Sequence, residues 1–570
     1  MNKEKLLSLI KVTENNEIIK NSKSNFFFLF SAVCFFVLTT NRNELIGMPF
    51  AICLLARIST QIHSIHSTIK QSSLWIRIFC FASAFSICLN CQEKLDNNIL
   101  ELVSLKHFDF FWEKANPIFE KLNTGLILPN AFSKVLSYLI AFLSILFVYI
   151  CLALFWKNIF KIFKKHRIFN DTTKPELIFY AILIAISFVL VIFTFSQSNA
   201  FYDCKVQYDV IYTSDSTDLV KGDVYVNLFH PENDLRQPLF AVFAAPFVGI
   251  TYLLKTLFNA PASIQAMFSN FIQVIVLFIA NFLLTKMMKL SHIKRICFIS
   301  ISVCTYSQLL FTLMMEQYIF AYFWLIFCLY LISEKDYSSR IAFWGASGTL
   351  LTSAILLPLT SGKSLVKDFK GWFTDIVKHG LEFLFVLLCS CRFNILVNSS
   401  EQISGLSQFT GRTISLTDKI YQYITFVENC FFPPAAGIDS TTYDHISWQL
   451  KPINTISFVG LAIIVLVFIS AILNRKKTSS LLSIGWVAFS FVILVILGWG
   501  TKENGLILYS LYFGWAFLVL IFQLIEKIET KLNVKALIPV FSIGCIISLV
   551  ALNAPAIKEL VDFAITNYPV

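Results

Sequence analysis

Apolar runs of roughly 15–22 residues follow one another along the whole chain, each bounded by a charged cluster. A hydrocarbon layer is crossed by about 20 apolar residues in a helix. Inside that layer a helix satisfies its own backbone N–H and C=O groups, which water cannot reach. The pattern therefore predicts an all-α fold, a polytopic transmembrane helical bundle of about 13–15 apolar segments. Composition agrees with this. Of 570 residues, 56% are hydrophobic and only 14% charged, against about 25% charge in an average soluble domain.

The expected segments are 25–40, 45–58, 74–89, 136–156, 177–195, 239–254, 264–284, 296–313, 318–332, 341–359, 381–397, 456–473, 481–497, 506–525 and 537–552. Several fall short of about 20 residues, which predicts broken, tilted or interfacial pieces. The net charge of +11 does not point to nucleic acid. The excess Lys and Arg sit in short loops beside the apolar runs, where the positive-inside rule accounts for them. The bilayer itself is the expected environment, and the expected location is a multi-pass protein of a cell membrane, a bacterial plasma membrane by its AT-rich style of composition.

Orientation follows from the basic loops. "KNIFKIFKKHR" (157–167), "KMMKLSHIKR" (286–295), "KSLVKDFKGWFTDIVKH" (363–379) and "NRKK" (474–477) are all expected on the cytoplasmic side. The polar loops 196–238 and 399–454 then fall outside. Two counts do not close. Between loop 196–238 and the basic loop at 286 only one of two apolar segments can cross fully, and 239–254, carrying Pro238 and Pro246, is expected to re-enter. Between the basic loops at 286 and 363 lie three apolar segments, one of which must be incomplete. A polar break near residue 170 divides the chain into a module of about four helices (1–170) and the remainder (171–570). The segment 91–130, with "FDFFWEKANPIFEKL", is expected to rest on the membrane as an amphipathic helix.

Three outer segments carry candidate chemistry. In "DVIYTSDSTD" (209–218) three carboxylates occur within ten residues. Asp215 follows a β-like stretch at a strand-to-helix corner. Asp218 falls in the first turn of the helix that follows, where an acid complements the helix dipole, and Asp223 receives the same reading. Arg236 and Gln237, in "RQPLF", lead into the next apolar run. Arg236 is suited to paired hydrogen bonds with a phosphate, or to snorkelling toward headgroups. "MMEQY" (314–318) places Glu316 and Tyr318 at a segment end. "WGTKENGLILYSLYFGW" (499–515) places Lys502 and Glu503 after two glycines. Glu316 beside the first loop would make a carboxylate pair suited to acid–base work or to a divalent metal.

An apolar exit helix, an outer loop with an acid in "SDS", and "RQPLF" opening the next helix together resemble the GT-C class of integral membrane glycosyltransferases. "LMMEQYIFAYFWLIFCLYL" (313–331) resembles the acid-plus-Tyr start of their return helix, and "LILYSLYFGWAF" (506–517) is like a late helix of some members. The resemblance covers roughly residues 171–530. It implies sugar transfer from a polyprenyl-phosphate donor to a glycan, lipid or protein acceptor on the outer face. Asp215, with Glu316 and Asp218 next in line, would be the catalytic acid or base. Arg236, Gln237, Tyr318, Lys502 and Glu503 would bind substrate, with a divalent metal as an optional cofactor. Gln237 stands where that class has His before Pro-Leu, and "SDS" is followed by Thr-Asp rather than a small residue and Arg. Two alternatives stay open. One is a polysaccharide polymerase or ligase using Arg412, Tyr443, Asp444 and His445 of the second outer loop. The other is a transporter or flippase of lipid-linked glycans, for which Arg77 and Arg392 are the main ionisable groups within the spans.

Overall fold

A computed structural model describes residues 26–38, 72–92, 128–202, 210–212, 216–230, 234–392, 394–407, 413–440, 444–449, 457–501 and 506–570. A few isolated positions (52, 53, 55, 56, 69, 95, 96, 214, 410 and 411) are also described. The expected helix in 91–130 lies almost wholly outside them. The fold is all-α, a bundle with one small β-hairpin on one side. Its helices are α1 (Phe26–Leu38), α2 (Leu74–Asn90), α3 (Leu128–Lys165), α4 (Lys174–Gln197), α5 (Ser216–Lys221), α6 (Phe240–Phe258) and α7 (Ala262–Met287). There follow α8 (His292–Cys304), α9 (Tyr306–Leu313), α10 (Tyr318–Ser333), α11 (Ser339–Thr349), α12 (Phe369–Cys389), α13 (Asn394–Val397), α14 (Ser399–Leu406) and α15 (Leu416–Asn429). After the hairpin β1 (Ala435–Asp439) and β2 (His445–Gln449) come α16 (Phe458–Asn474), α17 (Thr478–Phe491), α18 (Ser510–Leu532) and α19 (Leu537–Asn567). Among the described residues seven helices are long and apolar enough to cross a membrane, or eight if the bent pair α8–α9 counts as one. Four shorter apolar helices, α1, α2, α10 and α16, accompany them.

The basic loops meet on one side of the bundle. The α4 N-terminus is a capping box, with Thr173 and Glu176 each bonding the other's backbone N–H. The same Glu176 carboxylate then accepts two hydrogen bonds from Arg295 of α8, at 2.7 and 2.9 Å, with both side chains essentially buried. Such a paired fork is the arrangement that offsets the cost of burying two charges. Arg295 also reaches Asp171, which Lys286 holds as well. Lys294 bridges Glu526 and Glu529, and Lys477 joins Glu526 at 2.8 Å. Lys165 and His166 converge on Asp336, each at 2.6 Å. Ser339 and His379 both meet Thr360, which brings the basic segment 363–379 to the same side. The four basic loops thus lie together on one side of the bundle, most of them joined by ion pairs.

The loops expected outside collect on the opposite side. Ile211 pairs with Ile446 of the hairpin, Thr410 with Trp499, and Ser198 with Pro569. The β-like reading of "VIYTS" holds at Ile211 alone, through Tyr212 N–H to Ile446 O and Ile446 N–H to Val210 O, and Tyr212 takes a left-handed φ of 51°.

The two counts that did not close are explained by chain that enters the bundle and turns back. Segment 341–359 is the incomplete one of its three. It rises from the basic side as α11, turns at Leu350, and returns as the 3-10 helix Leu351–Leu359 to Thr360. The nine helical steps from Ser339 to Gly348 climb about 14 Å, roughly half the hydrocarbon thickness. At that tip the Gly348 carbonyl accepts from Leu239 N–H and the Arg236 carbonyl from Leu351 N–H, both at 2.8 Å. The outer loop therefore dips to mid-depth, and α6 starts there and runs back out. Re-entry at this segment was expected, but its cause is not Pro246, through which α6 continues without a break. The third irregularity is a 67° bend between α8 and α9 at Thr305.

Glycines permit the tip. A Cβ on Gly345 would lie 2.4 Å from the Trp324 ring, and one on Gly348 would lie 2.8 Å from Leu239 and Phe243. Gly345→Val and Gly348→Val should each lower stability by about 1–3 kcal/mol through overpacking. Gly380→Ala, whose Cβ would have ordinary contact at 3.7 Å, should change little. Thermal unfolding of the detergent-solubilised protein checks this, and equal melting temperatures for all three would refute the tip packing.

Asp336 lies outside the spans. Burial pushes its carboxyl up, but Lys165, the Ser338 backbone N–H and His166 outweigh burial and hold it well below the usual carboxylate range. Its folded value is thus depressed, so its contribution is complete above about pH 4 and is lost as pH falls through the depressed value. Asp336→Asn should destabilise by about 2 kcal/mol at pH 7. The gap to wild type should close as unfolding is followed below about pH 4; a gap independent of pH would contradict the ion pair.

Candidate functional site on the loop side

The turn between α9 and α10 is where the polar outer segments come together. α9 stops because Met314 adopts an extended conformation, and α10 resumes after Gln317. Glu316 sits on this non-helical turn and is fully buried. From Tyr318 to Ser333, α10 spans about 24 Å, less than a full hydrocarbon layer. The Glu316 turn therefore lies below the outer surface. One Glu316 carboxylate oxygen accepts from the Gln317 backbone N–H at 3.2 Å.

Gln273 of α7 holds the turn in place. Its amide donates to the Glu316 backbone carbonyl at 2.6 Å and to the Tyr225 hydroxyl at 2.5 Å. Tyr225 belongs to the descending outer loop and is wedged between Phe240 and Phe320. Its phenol is raised well above the ordinary value, first by burial and then by the nearby Glu316 carboxylate. Three residues along α7 from Gln273, on the same face, Asn270 donates to the Thr312 carbonyl at 3.0 Å. The side-chain oxygens of Gln273 and Asn270 are buried and have no partner among the described residues. Met315 N–H bonds the Phe201 carbonyl, and Tyr212 and Tyr306 share a hydroxyl–hydroxyl bond of 2.9 Å.

The third segment arrives through aromatic rings. Tyr318 packs against Tyr509 and Tyr512, with centroids 6.2 and 5.1 Å apart. Tyr509 accepts from the Trp499 indole at 2.8 Å. Gly498 and Gly500 adopt left-handed φ of 68° and 71°, and a Cβ on Gly500 would meet the Tyr509 ring at 2.7 Å. The glycines of "GWG" thus make the turn that lets this segment approach.

A second polar cluster lies at the α11 tip. Cys391 takes a left-handed φ of 56°, which ends α12 and turns the chain. Arg392 then donates to the Pro238 carbonyl at 3.3 Å and faces the Phe229 ring. Arg236 is engaged by Asp234 through its Nε at 2.9 Å and its backbone N–H at 2.7 Å. Gln237 is buried, and its side-chain oxygen has no partner among the described residues. Beside this cluster opens an elongated apolar cavity of about 420 Å³, with the Arg340–Glu382 ion pair at one end and Leu228 and Ser390 at the other. Along α3 its wall runs from Phe147 to Asn158, about 16 Å of helix.

Of the residues singled out in the sequence, Glu316 and Tyr318 lie at the first cluster, and Arg236 and Gln237 at the second. Asp215, Lys502 and Glu503 lie outside the described residues. Asp218 is the third residue of α5, in its first turn as expected, and its side chain is not among those described. Asp223 departs from the first-turn reading. It follows α5 with a left-handed φ of 56°, and burial raises its carboxyl against the opposing charge of Lys255. Of the second outer loop's candidates, Arg412 and Tyr443 lie outside the described residues. The Asp444 carbonyl accepts from the Tyr568 hydroxyl, and His445 opens β2. Among the described residues no group of three or more His, Cys, Asp or Glu could hold a metal ion. Gln273, Tyr225 and Tyr509 were not singled out. The one hint was a pair of amides, Asn270 and Gln273, inside an apolar run. No family model, no curated protein and no solved structure matches the chain.

Gln273→Leu removes the donor for two buried acceptors and should destabilise by about 2 kcal/mol, read as a lower unfolding temperature in detergent. Wild-type stability in that variant would mean that Tyr225 and Glu316 do not depend on Gln273.

Proposed function

We propose that the protein is a membrane glycosyltransferase that moves a sugar from a polyprenyl-phosphate donor to an acceptor hydroxyl at the loop side. The observation that carries this reading is the fully buried Glu316 carboxylate on the α9–α10 turn, held next to Tyr225 and Gln273. A carboxylate kept out of water costs free energy and is retained where it has a task. In this reading a carboxylate takes the acceptor proton as the glycosidic bond breaks, so that charge does not build up on the new oxygen. Glu316 and Asp215 are the two candidates for that base. Arg392 and Arg236, in the cluster beside the Leu228 and Ser390 end of the apolar cavity, balance the negative charge left on the departing lipid phosphate. The cavity fits a single long hydrocarbon tail. The sequence resemblance to the GT-C class points the same way.

A second reading draws on one specific feature. Gln265, Ser269, Asn270, Gln273, Asn281 and Thr285 form a buried polar seam along α7, about 30 Å long. A polar seam across the bilayer is also what a transporter or flippase of lipid-linked glycans would use. Most of these groups serve as hydrogen-bond ties between helices, such as Asn281 to Gln308 and Tyr322 to Asn281, and that favours the enzyme.

The test is transfer of radiolabelled sugar from polyprenyl-phosphate donors in membranes carrying the protein. Glu316→Gln and Asp215→Asn are compared with wild type at equal expression. Loss of the catalytic base should lower turnover about 100-fold or more while leaving membrane insertion unchanged. No transfer by wild type, together with movement of labelled lipid-linked glycan across proteoliposomes, would replace the enzyme reading with the transporter.

A further inference from the structure

The basic side carries a surface that the proposed chemistry does not use. The first half of α12 and the loop before it leave Val366, Phe369, Phe373 and Val377 exposed, with Val366 90% exposed. Phe369, Phe373 and Val377, four residues apart, share one stripe of α12, and Val366 lies in the turn before its cap. Lys370 and Lys378 lie on the same helix, and Lys363 and Lys367 in the loop before it. The two acids in the segment are already occupied. Asp368 caps the helix by accepting from Gly371 N–H at 3.0 Å, and Asp375 faces Ser361 at 3.1 Å and Lys363 at 4.0 Å. Lys378 rests on the Tyr337 hydroxyl. Lys367 and Lys370 have no carboxylate partner among the described residues.

The position of this stripe follows from its anchors. His379 bonds Thr360 at 2.8 Å, and the Trp372 indole donates to the Pro358 carbonyl at 3.1 Å. These contacts tie the segment to the layer of ion pairs, while the second half of α12 buries Phe383 and Leu387 in the bundle. The exposed rings and the lysines therefore lie together at one edge of the apolar layer. Beside them is a polar cavity of about 240 Å³, walled by Lys335, Lys363, Ser339, Thr360, Ser361 and Ser364. Asp336 also lines it, with its carboxylate taken up by Lys165 and His166.

We propose that residues 361–378 are a docking surface for anionic phospholipid of the leaflet on the basic side. Lys363, Lys367 and Lys370 hold the phosphate headgroup, and the acyl chains lie against Val366, Phe369 and Phe373. A soluble acidic partner would match the lysines but would gain little from a stripe already set against the hydrocarbon edge. A lipid matches both, as basic amphipathic surfaces do at anionic leaflets. This inference is independent of the glycosyltransferase reading.

The test titrates phosphatidylglycerol and phosphatidylcholine into the detergent-solubilised full-length protein and counts bound lipid by native mass spectrometry. Wild type should prefer phosphatidylglycerol. K363Q/K367Q/K370Q should weaken that binding about fivefold per lysine, on the order of a hundredfold in all, with its unfolding temperature unchanged. F369S/F373S should weaken both lipids. Equal binding of the two lipids by wild type, or undiminished phosphatidylglycerol binding by the lysine variant, would overturn the proposal. So would complete displacement of the lipid by millimolar inorganic phosphate, which would make this a site for the free anion.

Discussion

Two backbone hydrogen bonds at mid-depth, Leu239 N–H to the Gly348 carbonyl and Leu351 N–H to the Arg236 carbonyl, set the layout of the bundle. Chain that turns round inside an apolar layer leaves N–H and C=O groups that no water can satisfy. Here two such turns meet and satisfy one another. The outer loop can then descend to the α11 tip, and α6 can begin there. That descent carries Tyr225 toward Glu316 and brings Arg236 and Gln237 beside Arg392. The close approach depends on Gly345 and Gly348, because the space of a Cβ at either is already filled by an aromatic ring or by Leu239.

The two sides of the bundle are held by different physics. On the basic side, charges drawn from α3, α4, α7, α8 and α18 and the loops between them pair in one layer, with the buried Glu176–Arg295 fork at its centre. Pairs such as this contribute less to net stability than to uniqueness, since any other arrangement would leave a buried charge alone. On the loop side the joints are backbone bridges, tyrosine hydroxyls and stacked rings.

The two polar clusters also divide the proposed labour. Glu316 lies at the turn near the outer surface, whereas Arg392 and Arg236 lie at the mid-depth tip beside the apolar cavity. A donor with a charged phosphate and a long tail would span these environments. The descending outer loop joins them, since it brings Tyr225 to Gln273 and Arg236 to the α11 tip.

The amino-acid sequence by itself determined the all-α membrane class, the basic side and the helix positions, because hydropathy and lysine placement act locally and are additive along the chain. It also located Glu316, since an acid between two apolar runs is visible without a fold. It showed that two topological counts failed to close but left open which of the segments 296–313, 318–332 and 341–359 was incomplete. Each is apolar enough to cross, and only packing makes 341–359 turn back at Leu350. The tertiary structure alone decided that Gln273 and Tyr225 meet Glu316 and that Arg392 reaches Pro238. Those contacts join residues up to 154 positions apart. Their energy exists only once helices are packed with water excluded, so no local pattern in the sequence records them.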